Sequence, residues 1–210
     1  MITMTEAPRT RMHRPEARPP DNGRLQPLAP EQRVNGLDLA VLGKTIAAIE
    51  HDPDLARCTF RACNSWTGGT QNHTCLDDFR AGKEEQQHYR MFELYSDEPP
   101  MLAGSDLAPN PVEHLLNALA GCMTTALVAH AAVRGIEIRS LESMVEGDID
   151  LRGFLGLTPG VPKGCTAIRI SFTVDTDDDN LDTLEKLLCY SPVFCTVVNG
   201  TTFTIDLQGK

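Results

Sequence analysis

The sequence lacks the marks of several large protein classes. It has no uncharged apolar run of 18 residues, which argues against a membrane span. Its N-terminal stretch has no apolar segment that would read as a secretory signal. Positive charge is in deficit: the net charge is −10, so nucleic acid is not an expected partner, because such binding rests on phosphate neutralisation. The seven cysteines, at 58, 63, 75, 122, 165, 189 and 195, form no even, regularly spaced framework. They read as reduced thiols of a cytoplasmic protein. Cys58, Cys63 and Cys75 are not spaced like zinc ligands, so no metal and no cofactor is expected. There is no internal repeat.

What is present centres on Asn110–Gly135, NPVEHLLNALAGCMTTALVAHAAVRG, the longest apolar segment. Asn110 suits an N-cap, Pro111 the first helical position, and Glu113 the third position of a capping box. Gly135 is a C-terminal stop. Ala, Leu, Val and Met occur all round this helix, so it is expected to be buried on most faces. Glu113, His114, Asn117, Thr124, Thr125 and His130 are too frequent for hydrocarbon.

The rest of the chain divides around that helix. Residues 1–33 are rich in Arg and Pro, with little apolar periodicity, and read as a mobile tail. Residues 34–55 contain an extra helix over about 37–51, with apolar residues at Leu39, Leu42, Ile46 and Ile49 and Pro53 beyond its end. Strands are expected at 57–66, 70–80 and 88–95, with a hairpin turn at Thr67-Gly68-Gly69-Thr70. A Pro- and Gly-rich loop, 96–109, leads into the central helix. Strands follow at 138–151 and 165–174, then a helix from Leu181, then a short helix with Ser191 as N-cap and Pro192 at its first position. A final strand is expected over 201–208. Strand runs separated by helices give an α+β class.

With these residues in view, the chain over about 56–210 resembles the OsmC/Ohr family, the osmotically induced protein C and organic hydroperoxide resistance proteins. The resemblance rests on NPVEHLLNALAGC, on SPVF near the C-terminus, on Trp66-Thr67-Gly68-Gly69 and on the loop SDEPPMLAGSD. It implies antiparallel sheets packed around a long central helix, in an intertwined homodimer with sites at the chain–chain interface. It also implies reduction of organic hydroperoxides by one attacking and one resolving cysteine, restored by a dithiol; the rival is single-cysteine chemistry in which an external low-molecular-weight thiol such as glutathione does the resolving. Cys122, twelve residues after Asn110, matches the attacking cysteine. Ser191 stands at the resolving position. Val112 stands where the organic hydroperoxide branch has its catalytic Glu, and Glu113 follows it. The first hairpin has no Arg where the family's catalytic Arg would lie.

The departures matter because a thiol in mid-helix needs a cation to favour its nucleophilic thiolate. Glu113 is nine residues before Cys122, on the opposite helix face, and is a weak substitute. Cys195, one turn beyond Ser191, and Cys189 are the alternative resolving thiols. Helical spacing sets Leu115, Ala118, Leu119, Thr125, Ala126 and Ala129 near Cys122, as a pocket wall or as core. Arg61, Arg80 and Arg90 are the cations that could approach from the strands. His73 and His88 read as solvated strand-end residues, and His114 and His130 form no ligand pair. Two functions remain: peroxide reduction through Cys122, or a non-catalytic protein binding a small hydrophobic ligand at the dimer interface.

Overall fold

The computed structural model describes residues 33–209. The segment read as a tail therefore lies outside the described residues, except for Arg33, which opens strand β1 (Arg33–Val34). β1 pairs with β2 (Leu37–Asp38) across Asn35-Gly36, both at positive φ (52° and 78°), as a tight hairpin turn requires. Helix α1 (Leu39–His51) starts where the Asp38 carboxylate accepts hydrogen bonds from the N–H groups of Ala40 and Val41. This unit is fastened to the far end of the central helix. The Asn35 side chain donates to the Ile136 carbonyl (3.0 Å) and accepts from the Ile138 N–H (2.8 Å). Val34 and Leu39 pack on Ala132.

Four strands form an antiparallel sheet: β3 (Thr59–Phe60), β4 (Cys63–Gly68), β5 (Gln71–Ala81) and β6 (Glu84–Ser96). β5 is central, with β3 and β4 along one edge and β6 along the other. The expected strand 57–66 is thus two pieces, because the chain leaves the ladder at Arg61-Ala62. Gly68 and Gly69 (φ 135° and 56°) make the expected turn. Register sets Cys63 opposite Cys75, His73 opposite Tyr95, and Cys75 opposite Glu93. Trp66 and Tyr89 project into solvent from this sheet.

The central helix α2 spans Pro111–Val133. Both halves of the capping box are made: Glu113 N–H to Asn110 Oδ1, and Asn110 N–H to Glu113 Oε2, each 2.8 Å. At the other end Gly135 (φ 71°) closes a Schellman motif: its N–H reaches Ala132 O, and that of Ile136 reaches Ala131 O. Ile136 then packs into the same cluster as Leu127, Ala131, Leu184 and Leu187.

One expectation about α2 is corrected. It is not buried on most faces. The buried stripe is Leu119, Met123, Leu127 and Ala131, at intervals of four, while Ala118 and Thr125 on the opposite side are exposed, as is Leu115 one turn before the stripe. Composition reports that every face is apolar, but which faces are covered depends on how many elements reach the helix. On the covered side lies the hairpin of β7 (Ser140–Ile149) and β8 (Cys165–Asp175), joined through the short helix α3 (Leu151–Phe154). The half-buried Ile168, Ile170, Phe172 and Val174 of β8 alternate with exposed residues such as Arg169, as the sequence alternation predicts. Helices α4 (Leu181–Leu187) and α5 (Pro192–Asn199) complete this layer.

The expected last strand is also corrected. Residues 201–209 pair with no described strand of their own chain, and Phe203, Ile205 and Leu207 are almost fully exposed. Alternation shows that a segment has an apolar face, and a strand needs in addition a neighbour for its backbone groups.

Candidate functional site

Cys122 sits in the middle of α2, half-buried, on the open side with Leu115, Ala118 and Thr125. Leu119, expected beside it, belongs to the buried stripe. All the described cysteines are free thiols. The sulfur therefore lies on an apolar, uncovered surface built largely from small side chains.

The residues expected to assist Cys122 are engaged elsewhere within the chain. Glu113 is held in the capping box, so its carboxylate serves the helix end. Ser191 is fully buried and caps α5 through a 3.2 Å hydrogen bond from the Phe194 N–H to its hydroxyl, and Pro192 occupies the first helical position as expected. The Cys195 thiol donates to the Cys189 carbonyl (3.1 Å), and the Cys189 thiol to the Lys186 carbonyl (3.1 Å). Both expected resolving thiols thus face their own local backbone. Arg61 bridges Asp78 and Glu85, Arg80 lies opposite Glu85, and Arg90 stacks over Phe92 with 5.6 Å to the ring centroid. None of the three meets Cys122 within its own chain.

Sequence reasoning missed the residue that joins sheet to helix. Asp97 is buried at the end of β6. Its carboxylate accepts from Thr70 Oγ1 (2.6 Å), Gln71 Nε2 (3.3 Å) and the N–H groups of Glu98 (2.8 Å), Ser105 (3.2 Å) and Leu107 (3.2 Å). It thereby ties the β4–β5 turn to the whole loop before α2. Gly104 completes that loop by close approach: a Cβ there would lie 1.6 Å from the Glu98 carbonyl oxygen. The sequence signal was present, an Asp opening a Pro- and Gly-rich loop, but its five donors are dispersed over 38 positions, from Thr70 to Leu107. His114 adds a second link, with Nε2 donating to the Tyr95 carbonyl at 2.9 Å.

The Thr70 hydroxyl, followed by the backbone donors, lowers the Asp97 pKa from 3.8 to about 2, against the opposing effect of burial. A depressed carboxylate stabilises the fold fully above its unfolded value and loses that contribution as pH falls through the folded one. Thermal stability is therefore expected to drop between about pH 4 and pH 2. Asp97→Asn, which turns one acceptor oxygen into a donor facing N–H groups, flattens that acid limb. It lowers Tm by about 5 °C at neutral pH in a chain of this size. Thermal scans across pH check both.

Two histidines depart from their reading as solvated strand ends. His73 lies inside β5, stacked on Tyr95 (4.7 Å between ring centroids), with Nε2 3.1 Å from Glu93 Oε1 and 3.7 Å from Cys75 Sγ. His88 lies between Phe79 and Phe92. On α2, His130 stacks on Tyr190 at 4.1 Å, and burial followed by the Arg134 charge lowers its pKa.

Comparisons with known proteins bear on the fold. The OsmC family, described as OsmC-like protein, matches residues 104–207, which contain α2, the β7–β8 hairpin, α4 and α5. Among solved structures, the chain is similar to an OsmC-like protein from Mycoplasma pneumoniae. That likeness has 13% identity and a TM-score of 0.52, and covers 67% of this chain and 87% of the other. It is also similar to an organic hydroperoxide resistance protein OsmC from Legionella pneumophila, with 16% identity and a TM-score of 0.42, covering 66% and 89%. No curated protein matches the sequence. At 13% identity the likeness to the Mycoplasma pneumoniae protein speaks to the fold alone.

Proposed function

The chain is a divergent member of the OsmC-like family, and from that premise we propose that it reduces organic hydroperoxides through Cys122. The observation that carries the reading is the position of Cys122: twelve residues after the Asn110 cap, half-exposed on the open apolar side of α2. A second copy of the chain covers that side and turns it into a pocket for a small hydrophobic peroxide. The exposed apolar groups of this chain support such a homodimer: Leu115 on α2, Trp66 and Tyr89 on the sheet, and Phe203 and Ile205 near the C-terminus.

The chemistry then runs in three steps. The Cys122 thiolate attacks the terminal peroxide oxygen, the O–O bond breaks, and the alcohol leaves with a proton, giving a sulfenic acid. A low-molecular-weight thiol condenses with the sulfenic acid, releasing water and leaving a mixed disulfide. A second thiol attacks that disulfide, restoring Cys122 and releasing the oxidised reductant. External resolution is favoured because Ser191 has no sulfur, and Cys189 and Cys195 donate to local carbonyls. The free state of the described cysteines suits a reducing cytoplasm.

The reading is tested by mixing reduced protein with cumene hydroperoxide and glutathione and following Cys122 by mass spectrometry. A glutathione adduct at Cys122 is expected. Oxidation of Cys122 no faster than that of a generic thiol defeats the proposal. One observation favours a second reading, a non-catalytic protein binding a hydrophobic ligand: Glu113 and Ser191 are both committed to helix caps. Native mass spectrometry of the dimer as purified separates the two, since only a binding protein retains a ligand without turnover.

A further inference from the structure

We infer that His73, Cys75 and Glu93 supply three ligands to one divalent transition-metal ion of the zinc class, with the fourth position left to water. His73 and Cys75 are two residues apart on β5 and so share a face of the sheet. Glu93 of β6 lies directly opposite Cys75, on that same face. One donor atom from each of the three falls within 4.8 Å of the other two.

The separations are those of ligands around one ion. Zinc–nitrogen and zinc–oxygen bonds of about 2.0–2.1 Å and a zinc–sulfur bond of about 2.3 Å, set at tetrahedral angles, place N and O about 3.4 Å apart and N and S about 3.6 Å apart. The observed Nε2–Oε1 and Nε2–Sγ distances are 3.1 and 3.7 Å.

A catalytic relay does not fit the same geometry. In a nucleophile–base–orienter triad, the imidazole uses one nitrogen for the nucleophile and the other for the carboxylate. Here a single nitrogen, Nε2, lies beside both the thiol and the carboxylate. A single proton there serves only one of them well, whereas a cation held by the Nε2 lone pair serves both. The Tyr95 ring stacked at 19° to the imidazole holds it in plane.

A thiolate, an imidazole and a carboxylate together select zinc, cobalt or nickel over magnesium or calcium. Bound metal would join β5 and β6, so ion binding and sheet stability are linked. The site shares no residue with the Cys122 chemistry and does not rest on the peroxidase reading.

The test uses the full chain, reduced and stripped with chelator, titrated with cobalt(II) and then with zinc(II). The expected result is one cobalt per chain with a thiolate-to-metal charge-transfer band and tetrahedral visible bands, both removed by one equivalent of zinc. Zinc also raises the thermal midpoint. Cys75→Ser weakens cobalt binding more than about 100-fold, beyond the loss of an outer-shell partner. Cys122→Ser changes nothing in the spectrum. Glu93→Gln, which preserves shape on an exposed strand, weakens binding while leaving the apo-protein midpoint in place, so a folding defect is not mistaken for ligand loss. Octahedral cobalt without a thiolate band, or a spectrum unaltered in Cys75→Ser, overturns the site.

Discussion

Under the proposed function, Cys122→Ser is expected to abolish hydroperoxide reduction, by more than about 100-fold, because that reading makes the Cys122 thiolate the nucleophile and a hydroxyl does not replace it. The substitution is nearly isosteric and lies on the open side of α2, away from the Leu119–Ala131 stripe. The thermal midpoint should therefore move by no more than about 2 °C. A coupled assay of glutathione oxidation with cumene hydroperoxide reads the first quantity, and calorimetry the second. Activity surviving in the serine variant would transfer the chemistry to another thiol. Cys195→Ser, by contrast, should retain most turnover under external resolution, since Cys195 is not needed to regenerate Cys122.

Leu127→Ala is expected to cost about 3 kcal/mol of unfolding free energy, in the middle of the range for large-to-small core changes. Leu127 is 2% exposed and packs with Ala131, Ile136, Leu184 and Leu187, where α2, the Schellman closure and α4 meet. A cavity there loosens the helix from the layer that positions it. Leu115→Ala is the informative companion. Leu115 is 38% exposed within its own chain, so in an isolated chain the same truncation costs less than about 1 kcal/mol. If a second copy covers the open side, Leu115→Ala instead weakens association, and its destabilisation grows on dilution. Urea unfolding at two protein concentrations, with sedimentation to read the oligomeric state, distinguishes the outcomes.

The cluster of His73, Cys75 and Glu93, proposed as a zinc-class site, was not visible in the order of residues. Reading Cys58, Cys63 and Cys75 by their spacing tests for ligands supplied by one local knuckle. His73 and Cys75 of β5 and Glu93 of β6 are brought together only by strand register. The His-x-Cys spacing on a strand was the available signal, since alternation sets both side chains on one face. Asp97 is a similar case: its acceptors and donors are close only after the β4–β5 turn folds back on the loop before α2.

Local chemistry was legible in the sequence itself. The capping box of Asn110 and Glu113, the stop at Gly135, the Gly68-Gly69 turn, the Ser191-Pro192 helix start and the alternation of β8 all depend on neighbours within a few residues. The α+β class and the family motif around Cys122 could be read in the same way. Tertiary structure alone decided which side of α2 is covered, that residues 201–209 have no strand partner in their own chain, and that two neighbouring strands gather His73, Cys75 and Glu93. The physical reason is common to these. Backbone propensity and capping are short-range and written in adjacent residues, whereas burial, pairing and ligand geometry are set by contacts between segments far apart in the chain.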